Sequence, residues 1–129
     1  MTTPLKQFGV SINCMDGRVQ VPVIEYMRTK YSLDYVDMVT EAGPIRILSE
    51  NGEGTIAESI RSRVDISITK HNSELIAVVG HYDCAGNPVE KDAQLEQMRT
   101  AIRVVESWDS KALVIGLWVD KSCTVHEIA

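Results

Sequence analysis

The stretch LIAVVGHYDCAG (75–86) begins with six consecutive apolar or small residues and then sets a histidine and a cysteine three positions apart, His81 and Cys84. A strand without polar alternation is covered on both faces. That is the pattern of a parallel sheet flanked by helices, not of a hairpin sheet with one side in water. Apolar runs of strand length recur as FGVSIN (8–13), YVDMVT (35–40) and ALVIGLWV (112–119), with helical patterns between them. This alternation predicts an α/β fold whose central sheet is mostly parallel, with helices on both faces.

Thr55 followed by Glu58 reads as a capping box, after which Ile56, Ile60, Val64 and Ile68 recur every fourth residue as far as His71-Asn72. A second helix is predicted from near Pro88 to about Trp108, with Leu95, Met98, Ile102 and Val105 at helical spacing. Pro22 is placed near the start of a shorter helix carrying Val23, Ile24 and Met27. DKSCTVHEI (120–128) reads as a turn and a last edge strand. The expected element order is βαβαβαββ, and the expected strand order is 2-1-3-4 with an antiparallel edge strand.

The 129 residues are 44% hydrophobic and 24% charged, a composition that supports one domain over 1–129 with a substantial core. No repeat, low-complexity tract or Gly/Ser/Pro-rich linker divides them. A net charge of -5 and a pI near 5.1 argue against a nucleic-acid partner and for a small-molecule one. There is no apolar run long enough for a membrane span, and MTTPLKQFGV (1–10) lacks the pattern of a secretory signal, so a cytoplasmic protein is expected. Three cysteines make an odd number for a disulfide framework. In a reducing compartment they read as buried hydrophobes, reactive thiols or metal ligands.

In a sheet of order 2-1-3-4 the first and third strands are neighbours, and their carboxyl ends open onto the crevice at the topological switch point. NCMDGR (13–18) places Cys14 directly after the first strand, while His81 and Cys84 follow the third. Two thiolates and an imidazole suit Zn²⁺, and three protein ligands leave a tetrahedral position open, as in catalytic zinc sites. Asp16 and Asp83 are the nearby candidates for closing that position; Cys123, His71 and His126 fall elsewhere. Asp16 lies two residues from both Cys14 and Arg18, so in an extended segment all three point one way and the guanidinium can hold the carboxylate. Taken singly, Cys14 is a buried hydrophobe, Asp16 a helix cap or turn residue, Arg18 a surface cation and Asp83 a loop residue. The second cluster, at a matching strand end, is what favours a metal.

These residues resemble the β-class carbonic anhydrases. CMDGR fits that family's Cys-x-Asp-x-Arg motif and GHYDC its Gly-His-x-x-Cys motif, while EAG (41–43) and GLWVDKSCTV (116–125) are similar to its Asn-Ala-Gly segment and closing hairpin. The resemblance implies zinc on Cys14, His81 and Cys84, a catalytic dyad of Asp16 and Arg18, and reversible hydration of CO₂ to bicarbonate by a zinc-bound hydroxide. It also implies a homodimer or higher homo-oligomer, although the short stretch before the first strand leaves no room for the helical arm that many members wrap around a partner. Gln20 and Tyr26 are the positions available for the glutamine and aromatic residue of the family's substrate pocket. Thr40-Glu41 replaces the family's Arg-Asn, which sets a carboxylate near the pocket, where it would repel bicarbonate.

The alternatives are a related zinc hydrolase acting on CS₂ or COS, and a non-catalytic zinc-binding or sensing domain in which Asp16 closes the metal. A phosphatase loop is excluded because it needs five residues between Cys and Arg, and CMDGR has three. A thioredoxin-like site is excluded because there is no Cys-x-x-Cys. NGEGTIAES (51–59) lacks the lysine and third glycine of a nucleotide loop.

Overall fold

The computed structural model describes residues 5–50 and 52–129; Met1–Pro4 of the amino-terminal stretch and Asn51 of NGEGTIAES lie outside them. Its strands are β1 (Phe8–Cys14), β2 (Tyr35–Glu41), β3 (Leu75–His81), β4 (Leu113–Val119) and β5 (Val125–Glu127). They form one sheet in the order β2-β1-β3-β4-β5, with the first four parallel and β5 antiparallel to β4. The helices are α1 (Gly17–Tyr31), α2 (Pro44–Ser49), α3 (Thr55–Lys70) and α4 (Lys91–Glu106).

Both faces of the sheet are dry at its centre, as the unbroken run in β3 requires: all seven of its residues are buried. On one face Val10, Ile12, Ile76 and Val78 pack with Leu48 of α2, Ile60 and Val64 of α3, and Met98 and Val105 of α4. On the other, Ala77, Val79, Ile115 and Leu117 pack with Val19, Val23 and Met27 of α1. Successive strand residues alternate between these two cores.

The helices depart from expectation in five respects. α1 opens at Gly17, not near Pro22: Asp16 is its N-cap and accepts from the Arg18 amide, so Pro22 sits inside the helix, where it removes only the rung to the Arg18 carbonyl. The capping box at Thr55 and Glu58 does not form; Gly54 is the N-cap of α3 and Thr55 the first helical residue. The buried stripe of α3 is Ala57, Ile60, Val64 and Ser67, with Ile56 on the exposed side. α4 starts at Lys91, beyond Pro88, and ends at Glu106. The short α2 was not expected, and the element order is therefore βαβααβαββ.

β5 is tied to α1 by one carboxylate. Glu127 Oε1 accepts from the Tyr26 hydroxyl at 2.9 Å and the Tyr31 hydroxyl at 2.8 Å, with Lys30 Nζ at 3.3 Å. These donors hold its pKa below the ordinary carboxylate value against the opposing effect of burial.

The inward stripe of α3 can be checked with two alanine substitutions. Ile60→Ala, at a fully buried site, is expected to cost about 2–5 kcal/mol in urea denaturation. Ile56→Ala, at a site 51% exposed, should stay within about 0.5 kcal/mol of the parent.

Candidate metal centre

β1 and β3 pair through Val10–Ile76, Ser11–Ala77 and Ile12–Val78, and then part. Cys14 ends β1 and His81 ends β3, so both belong to their strands rather than following them, and they meet across the gap. Cys14 shares the face of Val10 and Ile12, whereas His81 shares that of Ala77 and Val79. The turn through Asp83, which has a positive φ of 57°, returns Cys84 to the same point. One donor atom from each of Cys14, His81 and Cys84 lies within 4.8 Å of the others, and all three residues are buried.

His81 Nδ1 is 2.8 Å from the Tyr82 carbonyl, which can only accept, so Nδ1 carries the proton and Nε2 presents its lone pair. Nε2 is buried and has no hydrogen-bond partner among the described residues. Burial alone would lower the His81 pKa, but the Cys14 sulfur and the Tyr82 carbonyl outweigh it and raise the value, the mark of a pocket that attracts positive charge. Cys84 donates to Cys14 across 3.8 Å, which favours Cys14 as the thiolate and pushes the Cys84 thiol up. Backbone amides of Gly43 and Asp16 add to the stabilisation of Cys14, and those of Gly86 and Asn87 favour an ionised Cys84. The Cys84 proton thus points at a second sulfur. A divalent cation in place of that proton could satisfy both sulfurs and the orphaned Nε2.

Two glycines let these loops close. Gly43 has φ +63°, and a Cβ there would lie 2.6 Å from the Gly86 carbonyl oxygen. A Cβ on Gly86 would lie 2.5 Å from the Ala42 carbonyl carbon. The backbones of Ala42-Gly43 and Gly86 therefore touch directly.

Asp16 and Arg18 do pair, though on a helix cap and not in an extended segment. Arg18 Nε reaches Oδ1 at 3.0 Å and Nη2 reaches Oδ2 at 2.7 Å, which holds the Asp16 carboxyl well below the usual carboxylate range. The same guanidinium donates to the Asp83 carbonyl at 3.1 Å and approaches its carboxylate at 3.5 Å, so one cation links both motif loops. Asp83 thus belongs to the loop and is outside the metal group.

Gln20 is already engaged: its Nε2 donates to the Cys14 and Asp16 carbonyls, both at 2.8 Å, and its Oε1 accepts from Asn13. It braces the loop, and its amide protons are not free for a substrate. Tyr26 is bonded to Glu127. The Glu41 carboxylate, expected to repel an anion, is paired with Arg63 of α3. His71 pairs with Asp37 and His126 with Asp120, while Cys123 is exposed, all outside the metal group.

Residues 5–129 match a family model described as "Putative carbonic anhydrase". The chain belongs to the β-carbonic anhydrase family. Its fold is similar to a solved structure from the report of two tetrameric β-carbonic anhydrases of Sordaria macrospora, at 12% identity and a TM-score of 0.61 over 98% of this chain and 82% of that one. It is also similar to a cysteine-to-alanine mutant of the β-carbonic anhydrase CafD of Aspergillus fumigatus, at 12% identity and a TM-score of 0.57 over 98% and 91% of the respective chains. No curated protein matches it. At these identities the likeness is one of fold.

In this family member the two-glycine contact should be intolerant of a methyl group. Gly86→Ala is expected to destabilise by about 1–3 kcal/mol, read as a lower urea midpoint at unchanged m-value.

Proposed function

We propose that this chain is a zinc-dependent carbonic anhydrase, a lyase hydrating CO₂ reversibly to bicarbonate, with Cys14, His81 and Cys84 as zinc ligands and Asp16 and Arg18 as the catalytic pair. The observation that carries this reading is the convergence of two sulfurs and a bare, buried imidazole nitrogen within 4.8 Å, next to a carboxylate held by an arginine fork. Soft sulfur donors with an imidazole favour Zn²⁺ over Mg²⁺ or Ca²⁺. When bound, the ion supplies a Lewis acid that ionises water near neutral pH.

The chain's own residues do the rest. Asp16 Oδ1 accepts from the amide and Nε of Arg18, but among the described residues Oδ2 accepts from Nη2 alone, which leaves a lone pair to receive a proton donor on the nucleophile. Because Arg18 keeps the carboxylate ionised, Asp16 orients that donor and does not itself take up its proton. Pro44, Ile45 and Val79 line the ligand cavity and keep bulk water from the sulfurs. The Glu41–Arg63 pair neutralises the carboxylate that would otherwise oppose bicarbonate. The engagement of Asp16 by Arg18 supports an open fourth position over a site closed by Asp16.

The proposed functional unit is a single zinc domain over 1–129, assembled as a homodimer or a higher homo-oligomer in the cytoplasm. No helix among the described residues is long and apolar enough to cross a membrane.

Stopped-flow CO₂ hydration on zinc-analysed protein between about pH 6.5 and 9 tests the reading, since zinc-bound water ionises near neutrality. Activity rising with pH at one zinc per chain is expected. Asp16→Ala should keep its zinc and lose about 10–100-fold in kcat. Full zinc loading without hydration at any pH would refute the lyase reading, and loss of zinc in Asp16→Ala would favour the closed site.

A further inference from the structure

Beyond Ile12–Val78 the third strand has lost its neighbour on the β1 side while keeping β4 on the other. In a parallel sheet successive residues bond alternately to the two neighbours. The Tyr82 amide bonds to the Val119 carbonyl of β4 at 2.9 Å, so the amide and carbonyl of His81 face the side that β1 has vacated. Two buried backbone groups on a proposed metal ligand would then be orphaned, each at a substantial cost.

Gln94, in the first turn of α4 and only 2% exposed, fills that gap. Its Oε1 accepts from the His81 amide at 3.3 Å and its Nε2 donates to the His81 carbonyl at 2.8 Å. A primary amide has a donor and an acceptor in the arrangement that a neighbouring strand would present. Nε2 also reaches the Val89 carbonyl, beyond Cys84, at 3.5 Å. Gly80 makes room for it, since a Cβ there would lie 3.0 Å from Gln94 Oε1 and 2.9 Å from Ile45 Cδ1. Within an otherwise apolar stripe of Met98, Ala101, Ile102 and Val105, a glutamine is explained by this bond and by no packing need.

We infer that Gln94 is a positioning residue of the metal centre, a surrogate strand that fixes the backbone of His81 and so the direction of its Nε2. The inference rests on His81 being a zinc ligand. It does not depend on which substrate is turned over. Hydrogen-bonded partners behind metal ligands are worth about 10–100-fold in metal affinity or activity.

The test is zinc affinity by chelator competition on the parent and three variants. Gln94→Met has similar length and cannot bond. Gln94→Glu keeps an acceptor for the His81 amide and lacks the donor for its carbonyl when ionised. Ser67→Ala removes a buried hydrogen bond to Ser73, made at 2.7 Å near the start of β3 and remote from the ligands. Zinc should bind about 10–100-fold more weakly to Gln94→Met, with Gln94→Glu between it and the parent and Ser67→Ala within about twofold of the parent.

The Co²⁺ d–d spectrum, which follows ligand direction, should shift in Gln94→Met and not in Ser67→Ala. If Gln94→Met does not fold, the decision passes to Gln94→Glu, whose affinity must then fall below the parent's. Parent-like affinity and spectrum in the Gln94 variants, or equal losses in Ser67→Ala, would overturn the positioning role alone. A parent chain that takes up no zinc would overturn both this role and the zinc reading, whereas a zinc-binding parent inactive towards CO₂ would overturn only the activity.

Discussion

Two parallel strands that pair for three residues and then separate set the terms for everything else in this molecule. A continuous ladder between β1 and β3 would have satisfied the backbone but left no cavity. Their divergence opens one at the carboxyl end of the sheet, where side chains from opposite faces, Cys14 and His81, can converge. It also creates a debt of unpaired backbone groups in a dry place, and two glutamines meet it. Gln20 braces the carbonyls of the Cys14–Asp16 loop from α1, and Gln94 braces His81 from α4. The crevice is braced by side chains acting as backbone.

Charge follows the same geometry. Burying two sulfurs 3.8 Å apart is tolerable only if one keeps a proton or a cation sits between them. Backbone amides from four residues turn towards the sulfurs, and none of them needs a charged side chain to do so. The fixed positive charge is placed outside this cluster, on Arg18, where it binds Asp16 and the Asp83 loop together. The centre therefore reads as an anionic pocket with a cationic clasp.

Much of this was legible in the residues because it rests on patterns with few alternatives. The unbroken apolar run in β3 required a doubly covered parallel strand, and the two motifs at matching strand ends required a shared crevice. What was not legible depended on local competition. Asp16 was read within an extended segment, but its side chain caps α1 and so starts the helix five residues before Pro22. Ile56 fitted the four-residue period, yet the helix is rotated so that Ala57 faces the sheet. Gln20 looked available to a substrate because sequence shows a side chain and not the carbonyls waiting for it. Gln94 did leave a signal, a lone amide at a position of the α4 stripe where an apolar residue would fit.

Glu127 gives the closing strand a role at a distance. By gathering Tyr26, Tyr31 and Lys30 it fastens β5 to the carboxyl half of α1, while the amino end of that helix carries Arg18 and is capped by Asp16. α1 is in effect a beam clamped at one end by the last strand, with the arginine clasp at the other. The closing hairpin and the carboxylate beside the Cys14–His81–Cys84 cluster are thereby joined through a single helix, by a route that does not cross the sheet.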